Sequence, residues 1–153
     1  MTYKMKKTMI LLLLVLSGLQ ASAQQGLSVY PLFEGKIIPA TQMIETRIAG
    51  REIAKYQLSL FRSLRFVATA EQQQKVDELV ERDSKGHFVM MSNKNGVSTV
   101  MVQFPPRGSV NRFLCKKTKK KMKGGHAEVI VLYMEGALSS LAQLNEILNQ
   151  TKE

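Results

Sequence analysis

The chain has 153 residues, of which 22 are Lys or Arg and 12 are Asp or Glu, for a formal net charge of +10. It holds one cysteine and no tryptophan. These numbers exclude an internal disulfide, so stability must come from a hydrophobic core of the size that one domain needs. The missing tryptophan also removes a stacking platform that many glycan sites use.

The N-terminus reads as an address. Lys4, Lys6 and Lys7 form a positive segment, and residues 9–16 are an almost unbroken apolar run. Ser17 and Gly18 loosen that run before Ala21-Ser22-Ala23, a small-x-small site. The pattern predicts a cleavable signal peptide over 1–23, cut between Ala23 and Gln24. An uncleaved anchor is the competing reading, but the apolar run is only about 8–11 residues, against the roughly 20 that a spanning helix needs. A lipoprotein is disfavoured because no cysteine stands near the cut. The mature chain, 24–153, reads as a single domain that is exported to the periplasm or secreted. Loss of the three leader lysines takes its charge from +10 to about +7. A basic exported domain can meet lipid head groups, acidic glycans or an acidic protein face. Solubility alone accounts for the charge equally well. The unpaired Cys115 is expected to be buried or to pair between chains.

Beyond the leader, residues 27–33 suggest a short strand broken by Pro31. Residues 43–49 alternate, with Ile44, Thr46 and Ile48 on one side, and predict a half-buried strand that Gly50 ends. Residues 51–67 fit either periodicity; a helical turn at 51–56 followed by a strand at 58–67 is preferred. Thr69 and Gln72 form a capping-box signature for a helix whose apolar stripe is Val76, Leu79 and Val80. Glu71 and Lys75, and Glu78 and Arg82, are favourable i,i+4 pairs on it, and Gly86 stops it. Residues 87–92 and 97–104 read as strands joined by Asn93-Lys94-Asn95-Gly96, whose Asn-Gly step is a strong hairpin signal. Pro105-Pro106 should end pairing there. Residues 109–115 form the next strand, and a lysine-rich loop follows. Residues 127–134 form another, and its continuous apolar run over 129–134 suggests a central strand covered on both faces. Gly136 ends it, and residues 137–149 make an amphipathic helix with Leu138, Leu141, Leu144, Ile147 and Leu148 on one side. Ser140 and Gln143 offer a second capping box.

These elements predict an α+β fold: an antiparallel β-meander sheet of about five or six strands, with two main helices packed on one face. The other face would be partly wet or would bind something. Three passages carry a family resemblance: Ala21-Ser22-Ala23-Gln24-Gln25, the stretch from Phe33-Glu34-Gly35 through Phe61-Arg62-Ser63, and Val131-Leu132-Tyr133-Met134-Glu135-Gly136. In them the chain resembles small exported Bacteroidetes proteins of a domain-of-unknown-function family. The resemblance implies an exported α+β domain, with the periplasm or outer surface as destination, and supplies no catalytic residues.

Chemistry is sparse in the sequence. Cys115 with His87 or His126 is the one thiol–base combination available, and Cys115 lies in an apolar strand where a buried small residue is the usual role. Two histidines 39 positions apart have no metal-ligand spacing. Five of the 12 acids, Glu71, Asp77, Glu78, Glu81 and Asp83, belong to the helix capped by Thr69 and look like a solvated face, and the rest are scattered. No nucleophile elbow or phosphate-cradling loop is present. No catalytic, cofactor or metal site is therefore assigned. The exception is the run Lys116, Lys117, Lys119, Lys120, Lys121 and Lys123, six lysines with no acid among them. As a loop it would project as a positive finger toward an anionic envelope component or protein. It would also serve as a soluble tip that discourages edge aggregation. Nucleic acid is not expected, because no aromatics interleave with the lysines. The leading expectation is a non-enzymatic, exported binding domain; the alternative is a small exported enzyme whose site forms only on folding.

Overall fold

The computed structural model describes residues 26–120 and 124–150. The expected leader over 1–23, the expected cleavage residues Ala23 and Gln24, and Lys121 and Lys123 lie outside the described residues.

The chain begins with a single helical turn, α1, at Tyr30–Phe33, and not with the strand expected for 27–33. Pro31 explains the difference. In the first turn of a helix its missing N–H would have had no intrahelical partner anyway, and the turn drops Leu32 and Phe33 into the core. A 3-10 turn at Ala40–Gln42 leads into β1, Met43–Ala49, and the one-turn α2, Arg51–Ala54, leads into β2, Leu58–Ala68. The positions match the strand expected over 43–49 and the helix-then-strand reading, but β1 is an edge strand and not half-buried: Ile44 and Thr46 are exposed and Ile48 is only partly covered. Helix α3, Ala70–Ser84, starts at the expected capping box: the Gln72 backbone N–H donates to Thr69 Oγ1 at 3.2 Å, and the Thr69 N–H donates to Gln72 Oε1 at 3.0 Å.

Strands β3, Phe88–Lys94, and β4, Val97–Arg107, form the expected hairpin. Asn95 and Gly96 take φ of 54° and 76°, the backbone of a two-residue turn whose twist matches the strands. Pro105 and Pro106 do not end β4. Pairing lapses across them and resumes at Arg107, opposite Val110, because neither proline can donate to the ladder. Strand β5 is Val110–Lys120 and β6 is Ala127–Gly136.

The final helix, α4, spans Leu141–Gln150, starting later than expected. Residues 137–140 are held out of the helix by two contacts. The Ala137 N–H donates to the Gln57 carbonyl at 2.9 Å, and Asn111 Nδ2 donates to the Leu138 carbonyl at 2.6 Å. Ser140 does cap, accepting from the Gln143 N–H at 3.3 Å. The Gln143 side chain reaches back to the Ser139 N–H instead, at 3.2 Å, so the box is displaced by one residue.

The six strands form one antiparallel sheet in the order β1-β2-β6-β5-β4-β3. The α+β class and strand number are those expected. The two long helices, however, lie on opposite faces. Val76 and Val80 of α3 pack with α1 and with Leu64, Leu114, Val131 and Tyr133 on one face. Leu141 and Leu144 of α4 pack with Met101, Phe113, Cys115 and Met134 on the other. The cause is the strand period of two. Leu114 and Cys115 are adjacent in β5 and both fully buried, so each face needs its own cover. The apolar run in β6 carried that signal, since a strand apolar at every position has two faces to bury.

Candidate functional site

The lysine run is not a loop through its first half. Lys116, Lys117, Lys119 and Lys120 belong to β5, which continues to Lys120 between β4 and β6. Flanking strands supply ladder partners as far as Val97 opposite Lys119 and Ala127 opposite Lys120. That context outweighs the low strand preference of lysine.

The consequence is that alternation splits the lysines. Lys116 points to the α3 face, is buried, and pairs with Asp77 of α3. Lys120 points the same way, into a depression lined by Asp77, Glu78, Glu81 and His126. Three carboxylates of α3, Asp77, Glu78 and Glu81, therefore lie beside these two lysines. Lys117 and Lys119 point to the α4 face.

Register shows what surrounds them. Residues directly opposite in an antiparallel pair share a face, so the pairings trace rows across the α4 side of the sheet. One row runs Met90, Met101, Cys115, Leu132, and the next runs Gln103, Phe113, Met134, Phe61. Their central residues are buried with α4 in one core. Two further rows follow at the margin of the α4 core, where Ile130 still packs against it. They run Ser92, Thr99, Lys117, Ile130, Arg65, Ile44, and Lys94, Val97, Lys119, Glu128, Val67. Ile44 and Val67 are exposed here, at 67% and 46%. Four cations and one carboxylate occupy the two rows, and that carboxylate, Glu128, is 2.8 Å from Arg65.

The rows are not flat. Where β3, β4 and β5 meet α4, a depression of about 410 Å³ is lined by Lys94 and Lys117, the hydroxyls of Ser92 and Thr99, and the amides of Asn95 and Asn145. Met90 and Met101 lie beside them. Among the described lining residues there is no carboxylate, imidazole or thiol. Ammonium groups, hydroxyls and amides can together surround an anion with charge and hydrogen bonds.

The other sequence candidates do not come together. Cys115 is fully buried on the α4 face, and burial pushes its thiol up to about 12, which keeps it protonated. His126 lines the α3-side depression, and His87 packs edge-on against Phe104, a core residue of that same side, at 5.3 Å. Among the described residues no three His, Cys, Asp or Glu side chains cluster as a metal site would require. None of their helices is long and apolar enough to cross a membrane.

Sequence reading missed Ser92, Lys94, Thr99 and Asn145 as members of one site. The hairpin Asn-Gly turn fixed the register of the first three, but their position opposite Lys117 needed the β4–β5 pairing. Asn145 needed the placement of α4.

No curated protein matches the chain significantly. A protein-family model does match, over residues 16–148, and by that match the chain belongs to DUF6108, a family of unknown function.

Proposed function

We propose that this is an exported, non-catalytic binding domain that engages the phosphorylated head group of an envelope lipid or glycolipid through the depression beneath Lys94 and Lys117. The observation that carries the reading is the acid-free lining: two ammonium groups, two hydroxyls and two amides around about 410 Å³, on rows whose charge is three cations in excess. Binding is favoured over catalysis because acyl, phosphoryl and glycosyl transfer all need a positioned acid, base or activated nucleophile. The lining offers hydroxyls without a base. Export rests on the leader pattern of residues 1–23.

The test is co-sedimentation with phosphatidylcholine vesicles with and without phosphatidylglycerol. The mature chain should bind the anionic vesicles alone and release them as salt is raised, because exposed charges are screened. Lys94→Gln with Lys117→Gln should reduce binding about tenfold. Lys120→Gln, on the opposite face among carboxylates, should not. Effects in proportion to the charges removed, two against one, would show that bulk charge, and not this site, drives binding.

A further inference from the structure

A second site lies at the far end of the same face. Between α2, α4 and the β1–β2–β6 part of the sheet is a cavity of about 170 Å³, walled by Ile53, Phe61, Met134, Leu144 and Ile147, with Tyr56 at one side. An apolar cavity of about 150 Å³ stays dry and takes up a molecule the size of benzene. Left empty, such a space forfeits the dispersion contacts that its lining atoms would make. Tyr56 and Ile147 also line an adjoining polar depression of about 490 Å³, with Lys55, Gln57, Gln143 and Glu146 around it. The Lys55 ammonium sits 4.9 Å from the centre of the Tyr56 ring, which places a cation at the junction of the apolar and polar spaces.

We infer that this pair of spaces binds a short-chain amphiphilic carboxylate, its hydrocarbon end in the cavity and its carboxylate near Lys55. The size limits the buried part to about six carbons, the content of a benzene ring. Glu146 shares the polar depression and opposes an anionic head, so it sets the strength of binding below what Lys55 alone would give. The site is separate from the lysine depression and does not depend on it.

The experiment is titration of the mature protein with hexanoate and with 1-hexanol, followed by methyl NMR. Both should give saturable shifts confined to the cavity lining, with hexanoate the tighter. Lys55→Gln should weaken hexanoate about threefold and leave 1-hexanol unchanged, and Glu146→Gln should tighten hexanoate by a similar factor, as expected of single exposed charges. Ile147→Phe should fill the cavity and abolish both. Lys55 and Glu146 are exposed, so their variants keep the test intact if the filled variant does not fold. Absence of saturable shifts at the lining with either probe would overturn the inference, and so would charge substitutions that act equally on the acid and the alcohol.

Discussion

Gly136→Ala is the substitution whose effect the backbone geometry defines most sharply. A β-carbon placed on Gly136 would lie 2.2 Å from the Gln57 carbonyl oxygen and 2.7 Å from Leu58 Cα. Both obstacles are backbone, so no side-chain rotation relieves them. The clash falls where β2 shifts register between Leu58 and Leu60, and where the Ala137 N–H donates to that same Gln57 oxygen at 2.9 Å. Gln57 itself is held at φ 59°, which leaves it little room to move. The strands must separate by about 1 Å to restore ordinary contact. Loss of the hydrogen bond costs about 1 kcal/mol, and forced displacement in a packed region costs about 1–3 kcal/mol more. We therefore expect a loss of about 2–4 kcal/mol, read as a fall in Tm of roughly 10 °C. Urea and thermal denaturation followed by circular dichroism measure it. A loss below about 1 kcal/mol would refute the close approach of these two strands and the anchoring of α4 that depends on it.

Two other outcomes test the core and the N-terminal segment. The buried Cys115 thiol keeps its proton to about pH 12, whereas the unfolded chain loses it near pH 9. Its contribution is thus complete below pH 9 and declines by about 1.4 kcal/mol per pH unit above it; Cys115→Ala, though less stable at neutral pH, should show a flatter alkaline decline, and an unchanged slope would place the proton release elsewhere. Asp83 accepts from the Ser28 and Val29 backbone N–H groups at 2.6 and 3.0 Å and so ties the segment before α1 to α3. Asp83→Ala should cost about 2–3 kcal/mol and raise hydrogen exchange over residues 28–33, and retained protection there would contradict that tie.

Much of the fold is legible in the chain because its signals are local. The Thr69–Gln72 box, the Asn95-Gly96 turn and the alternation over 43–49 each specify an element without help from distant residues. The errors arose where tertiary partners decide. Pro31 is as compatible with a first helical turn as with a broken strand, and only burial of Leu32 and Phe33 selects the turn. The lysines of β5 lack strand preference and are held by β4 and β6. The division of α3 and α4 between faces follows from Leu114 and Cys115 being buried back to back. The candidate site was legible only as charge. Alternation sends Lys116 and Lys120 to the carboxylates of α3 and leaves Lys117 with Lys94, a partner that is 23 positions away in sequence and two strands away in space.

We propose that an anionic head group binds among Lys94, Lys117 and Asn145. Titration of the ¹⁵N-labelled chain 24–153 with glycerol 1-phosphate at low salt is the test. Binding there should give saturable shifts concentrated at Ser92, Lys94, Thr99, Lys117 and Asn145, lost in the Lys94→Gln, Lys117→Gln variant. Shifts centred on Lys120 and His126, or none that saturate, would contradict it.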